Sequence, residues 1–328
     1  MKARLSIVAS IVVLVVLAVV LSRSPVAAAE KYPVRPVELV MPFGPGGSLD
    51  LQARALAAVA MQHLGQPFVI TMKPGAGGTI GTAHVARSKP DGYTLLLTAT
   101  GPMSISLQLE DTGYTKDSFI PIALLNLTPP VVAVRTDRPW KTLEDLLTHI
   151  RANPARVVYG TTSVTGLTNL ANHMLLQGAG IQASLPTVPF KSVGDQLLSI
   201  LKGDTEYMVQ IHSGLAAYLR SNQIRALAVL SEKRFPVMPD VPTAKELGYD
   251  VVASQWMGVL APKGTSPEVV DTIAKALGKM VKDRSFVTMA TKMDIPPAFL
   301  QPAEFQEFLE REYQKYGVAI QRAGLKKK

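Results

Sequence analysis

Val37-Glu38-Leu39-Val40-Met41-Pro42-Phe43-Gly44-Pro45-Gly46-Gly47-Ser48-Leu49-Asp50 is the stretch on which the fold turns. Val37–Met41 is apolar and β-prone, which predicts a buried strand. Pro42 ends it, because proline brings no N–H to a ladder. Phe43–Gly47 is then a glycine-rich loop whose backbone can approach a ligand closely. Ser48 is a good N-cap, and Leu49, Ala53, Leu56, Ala57, Ala60 and Leu64 follow at helical spacing. A strand, a glycine loop and a helix N-terminus in that order favour an anion, since free N–H groups and the helix dipole face it. Asp50 falls in the first turn, where a carboxylate is also well placed. Taken alone, the stretch equally describes an ordinary βα turn with a capping serine.

Further along, the pattern repeats. Phe68–Met72 reads as a strand, Pro74–Gly81 as a second glycine loop, and a helix follows to about Arg87. Gly75, Gly77 and Gly81 nearly fit a dinucleotide fingerprint, but the next strand, Thr94–Thr98, ends without the ribose-binding acid, and no phosphate-loop motif occurs. The β-α-β-α-β order implies a parallel sheet covered by helices, with ligands at the strands' carboxyl ends. The loops at Phe43–Ser48, Gly77–Thr79 and Thr98–Gly101 are therefore expected on one edge, which makes Thr98 and Thr100 candidates beside Gly78 and Thr79.

Phe119–Leu127 is a strand, Pro129-Pro130 interrupts it, and Val131–Val134 resumes as extended chain, the expected crossing into a second lobe. There, the strand Val157–Gly160 leads into Thr161-Thr162-Ser163-Val164-Thr165-Gly166 and a helix from Leu167. This loop holds more hydroxyls than one cap needs, which favours a ligand surface. Val188–Ser192 closes another strand and carries Lys191. Tyr207–Gln210 is a strand, and Ala226–Leu230 another that turns back toward the first lobe. The proline-rich Arg234–Thr243 is expected to make the return crossing, and Thr243 to cap a helix over Ala244–Leu247. Pro267 and Pro302 open two last helices.

Of the 328 residues, 47% are hydrophobic, enough for two lobes. Lys2 and Arg4 precede the apolar run Leu5–Leu21, and Val26-Ala27-Ala28-Ala29 offers a small-residue cleavage site. This predicts an export signal over residues 1–29, cut after Ala29, and a periplasmic protein. Losing Lys2, Arg4 and Arg23 lowers the formal charge from +9 to +6. With no cysteine, disulfides, thiolate metal sites and a cysteine nucleophile are excluded. Nucleic-acid binding is not expected without a concentrated basic or aromatic stripe.

Pro33–Arg54 (P-V-R-P-V-E-L-V-M-P-F-G-P-G-G-S-L-D-L-Q-A-R), Pro74–Gly81, Pro90–Leu96, Pro239–Thr243 and Gly258–Pro267 also stand in an order that resembles the tripartite tricarboxylate transporter receptors, or Bug-type periplasmic binding proteins. The resemblance implies an α/β, two-lobed periplasmic binding protein type II (Venus-flytrap) fold, each lobe a mostly parallel sheet flanked by helices. Residues 30–131 with 235–328 would form lobe 1, and 132–234 lobe 2. It also implies a small carboxylate as ligand, gripped with bridging water by the first-lobe loops, and a membrane permease of the tripartite tricarboxylate type as partner. Carried over by position, it points to Phe43, Gly46, Gly47, Ser48, Asp50, Gly78 and Thr79, then to Thr161–Gly166, Lys191 and Gln210. Met72, Val164, Phe190-Lys191-Ser192 and Gln210 depart from the usual asparagine, glycine, Y-K-G and aspartate, so the distal contacts are atypical.

The expectation is thus a monomeric solute-binding receptor without cofactor, metal or catalytic residues. A sensory receptor signalling to a membrane kinase is the alternative, because closure serves both roles. An exported hydrolase is disfavoured: neither Ser48 nor Thr161–Gly166 sits in G-x-S-x-G, and His63, His84, His149, His173 and His212 form no metal motif.

Overall fold

A computed structural model describes residues 32–45, 48–163, 166–182 and 185–325, with Ser48 as backbone alone. The leader with its cleavage after Ala29, and the candidate residues Gly46, Gly47 and Thr165, lie outside the described residues. The elements below belong to the unit Arg35–Lys328.

The first sheet has the order β11-β4-β10-β3-β1-β2, and its opening strand β1 (Val37–Met41) leads through Pro42 into helix α1 (Ser48–Leu64). Strands β2 (Phe68–Met72) and β3 (Thr94–Ala99) pair parallel with β1 on either side, the arrangement that a strand–helix–strand crossover gives. Between them lies α2 (Thr79–Ala86). A π-turn, Gly101–Ile105, and a short α3 (Ser106–Leu109) follow β3. The long β4 (Phe119–Thr128) runs parallel to β3, separated from it by the antiparallel β10 (Gln255–Pro262). Two helices, α8 (Pro267–Met280) and α9 (Arg284–Lys292), pack on α1. Edge strand β11 (Pro297–Leu300) and the long α10 (Pro302–Arg322) complete this half. Val40, Leu96, Trp256, Leu260 and Phe305 form its core with Ala83 and Val85 of α2.

The second sheet has the order β7-β6-β8-β5-β9. Its members are β5 (Pro130–Arg135), β6 (Tyr159–Thr161), β7 (Thr187–Pro189), β8 (Tyr207–Ile211) and β9 (Ile224–Val229). Side chains alternate across β5, and both faces are buried. Val132 and Val134 meet α4 (Leu143–Ala152) and α5 (Leu167–Gly178), while Val131 and Ala133 meet α6 (Val193–Lys202) and α7 (His212–Arg220). Thr142 and Asp145 open α4 with a reciprocal capping box, at 3.1 and 2.9 Å.

Two crossings join the sheets. The first is Thr128–Pro130, between β4 and β5. The second differs from the sequence reading. Arg234–Thr243 does not leave the second sheet: Phe235 is buried beside Leu197 and Leu215, Val237, Met238 and Val241 pack on the same core, and Thr243 bridges to Val229. Prolines there mark irregular backbone, and apolar residues between them still hold it down. Ala244, Val251 and Ala253 enter the core on the other face. Ala244–Leu247 is a single turn rather than a helix, closed by the Leu247 N–H on the Thr243 carbonyl at 3.3 Å. The chain returns only after Ala253, whose N–H donates to the Leu230 carbonyl at 2.9 Å, and Gln255 then pairs with Thr128.

Candidate functional site

Strand register alone aligns the candidate loops. Thr128 ends β4 and Pro130 begins β5, so both sheets present one end at the crossings. In the first sheet that end carries the carboxyl termini of β1 and β3; in the second, Pro130 pairs with Ile211, the last residue of β8, and the parallel β6 ends beside it at Thr161. Strand carboxyl ends of both sheets therefore border the crossings, where open α/β sheets bind ligands.

On the first-lobe side three loops meet, the third through Pro102, one residue past the expected Thr98–Gly101. A Cβ built on Gly78 would lie 2.8 Å from Pro102 Cγ and 3.0 Å from Phe43 Cζ, so the β1 loop, the α2 N-terminus and the π-turn touch at this residue. Gly78 holds φ +98, a conformation L side chains rarely adopt. The Thr79 hydroxyl donates to the Ala76 carbonyl at 2.9 Å. Asp50 is buried in the first turn of α1 and pairs with Arg54 at 2.9 Å; burial and pairing make it part of the helix start.

Thr98 and Thr100 sit at the expected edge but face inward. Thr98 is fully buried. Thr100 Oγ1 donates to the Ser254 carbonyl at 3.0 Å and accepts the Trp256 N–H at 3.0 Å. Tyr316 from α10 adds to this clamp: its hydroxyl accepts the Ser254 N–H at 3.1 Å. The second crossing is thus pinned to the end of β3, a role that no local motif announces.

On the second-lobe side, the Thr161 hydroxyl donates to the Ser163 carbonyl at 3.1 Å and accepts the Ser163 N–H at 3.3 Å. Thr162 and Gly166 are half-buried and Ser163 exposed. Gly166 is the N-cap of α5 and brings no side-chain acceptor. Lys191 is exposed between β7 and α6. Gln210 is buried and committed: its Nε2 donates to Gln196 Oε1 at 3.1 Å and its Oε1 accepts the Ile211 N–H at 2.8 Å. Gln196 Nε2 in turn donates to the Gly160 carbonyl at 2.7 Å. A carboxylate at position 210 would set oxygen against Gln196 Oε1, so glutamine here belongs with Gln196.

A cleft of about 540 Å³ opens between the halves, with Leu51, Gln255 and Met293 on one side and Val193, Gln210 and Ile211 on the other. A larger groove, about 940 Å³, runs along α2 toward Glu38 and Thr94 at the amino ends of β1 and β3. It holds both signs of charge, with Arg35 and Asp91 paired at 3.4 Å, and of the candidate residues it touches Thr79 alone. The smaller cleft likewise touches one candidate residue, Gln210, and strand polarity, not its lining, favours the side of the crossings as the ligand site. Beside that cleft His212 is buried edge-on to Phe235, and burial lowers its pKa below the usual histidine range.

The chain resembles known proteins over nearly its full described length. Residues 52–325 match the family described as Tripartite tricarboxylate transporter family receptor. Protein BugT of Bordetella pertussis is 31% identical over 304 residues, covering 92% of this chain and 93% of BugT. Among solved structures, MatC from Rhodopseudomonas palustris with bound malate is 26% identical, with a TM-score of 0.73 over 88% of this chain and 100% of its own. An R. palustris protein with adipate is 27% identical, with a TM-score of 0.77 over 90% and 100%. Two sheets with facing strand ends, two crossings and these likenesses agree: the chain belongs to the tripartite tricarboxylate transporter family of receptors, and its fold is the two-lobed α/β fold of the Bug-type periplasmic binding proteins.

Proposed function

We propose that this chain captures a small dicarboxylate between its lobes in the periplasm and delivers it, as a monomer, to a membrane permease of the tripartite tricarboxylate type. The observation that carries the reading is the meeting of strand carboxyl ends from both sheets at the crossings, in a family whose solved relatives hold malate and adipate. The export-type leader supports the compartment. The lobes in this reading are residues 35–128 with 255–325, and residues 130–254.

One ligand carboxylate would be held by backbone N–H groups of the Phe43–Ser48 loop, including Gly46, Gly47 and the Ser48 hydroxyl, against Gly78 and Thr79. The α5 N-terminus would take the opposite end. Its glycine cap leaves the place of a capping acceptor to the ligand, and the hydroxyls of Thr161–Gly166 would contribute beside it. The exposed Lys191 would add a cation, and Gln210, held by Gln196, an uncharged wall. Thr100 serves the hinge, and Asp50 the start of α1.

A thermal-shift screen of four- to six-carbon dicarboxylates on the mature protein, followed by mass spectrometry of the recovered ligand, tests this. Raised melting temperature with a dicarboxylate returned unaltered supports a receptor. Catalytic conversion of the ligand, or stabilisation by uncharged solutes only, contradicts it.

A further inference from the structure

Arg220, the last residue of α7, and Asp294, in the turn between α9 and β11, meet across the lobes: Arg220 Nη1 lies 2.6 Å from Asp294 Oδ2. The first residue follows β8 in the second sheet and the second precedes β11 in the first. Both border the 540 Å³ cleft together with Gln210 and Gln255.

The backbone at Asp294 supplies an independent observation. The Ile295 N–H bonds to the Ala290 carbonyl at 2.9 Å and the Asp294 N–H to the Thr291 carbonyl at 3.0 Å, closing α9 as a Schellman turn. Asp294 occupies its left-handed position at φ +55, where glycine is the usual residue and asparagine the next. An aspartate there gives up backbone freedom and gains a carboxylate, which is 18% exposed and aimed at the other lobe.

We propose that Arg220 and Asp294 form an interlobe latch that favours the closed arrangement of the receptor. The proposal rests on the closing-receptor reading above. Rotation about Thr128–Pro130 and Ser254–Gln255 carries α7 away from the α9–β11 turn, so the pair is made on closure and broken on opening. A partly exposed pair of this kind shifts an equilibrium about two- to fivefold.

The cysteine-free chain makes the test clean. Met61→Cys on α1 and Leu198→Cys on α6, at positions 59% and 52% exposed, accept spin labels, and pulsed electron resonance then reads the interlobe distance. Arg220→Gln and Asp294→Asn should each lower the closed-to-open ratio about two- to fivefold, and the double variant no further. Asp294→Gly relieves the backbone and deletes the same carboxylate. It should open the lobes to the same extent without lowering the thermal midpoint. Distance distributions unchanged by both single variants, or effects that add in the double variant, overturn the latch. Adding adipate or malate to the labelled parent tests the receptor reading separately, because the latch comparison is made without ligand.

Discussion

Replacing Gly78 by alanine strikes the point where three first-lobe loops meet. Two effects are separable. The first is backbone strain at φ +98, about 1–2 kcal/mol for an L residue in the left-handed region. The second is overpacking: the new Cβ, 2.8 Å from Pro102 Cγ and 3.0 Å from Phe43 Cζ, forces shifts of roughly 0.5 Å to reach ordinary contact, at about 1–3 kcal/mol. Gly180→Ala is the control, because Gly180 has φ +71 and nothing within 4 Å of its built Cβ, leaving strain alone. Urea unfolding should show a loss of about 2–5 kcal/mol for Gly78→Ala against about 1–2 kcal/mol for Gly180→Ala, with unchanged m-values. Calorimetry should add a loss of dicarboxylate affinity for Gly78→Ala only, since Phe43 must move. Equal destabilisation in the two variants, or full affinity in Gly78→Ala, would refute the claim that Phe43, Gly78 and Pro102 form one tightly packed ligand edge.

Thr100→Val keeps the shape and removes the hydroxyl that holds Ser254 and Trp256. It strands the buried Trp256 N–H, and chemical denaturation should register a loss of about 1–3 kcal/mol. Gln210→Asp should lower thermal stability by a comparable amount, because a carboxylate cannot donate to Gln196; Gln196→Leu in the same background should lower it further, since it also strands the Gly160 carbonyl. Burial depresses the pKa of both His173 and His212 below 6.5, with Asp294 opposing and Arg220 reinforcing the shift at His212. The unfolded chain therefore binds more protons just below pH 6.5, and stability present above that pH is lost as pH falls toward the folded values. In His212→Phe the acid-side slope of unfolding free energy against pH should be shallower; an unaltered slope would exclude His212 as a contributor.

Much of this arrangement was legible in the sequence because it is local. The strand, Pro42, glycine loop and helix of the opening stretch follow from residue chemistry over a few positions, and so do the proline-led helices α8 and α10. The features that escaped depend on distant partners. Arg234–Thr243 resembles a linker by its prolines, but Phe235 and Met238 pack in one cluster with Leu197 and Leu215, far upstream in the chain. Helix α9 buries only Phe286 and Ala290, too few to set a period. Edge strand β11 begins with a proline and pairs with β4 across a register shift. Thr100 reads as a loop hydroxyl until the returning chain, 154 residues later, occupies it. Gln210 looks like a lost aspartate until Gln196 is seen beside it. The family motifs identify the fold; the partners that fix its hinge and far wall appear only in three dimensions.

In the proposed complex the ligand lies at the crossings, between strand ends of both sheets. A crystal structure of the mature protein with a bound dicarboxylate tests it most directly. One carboxylate is expected within hydrogen-bonding distance of backbone N–H groups in Phe43–Ser48, and the other end at Thr161–Gly166. A ligand seated instead in the groove along α2, among Arg35, His84 and Arg87, with the interlobe cleft unchanged, would contradict it.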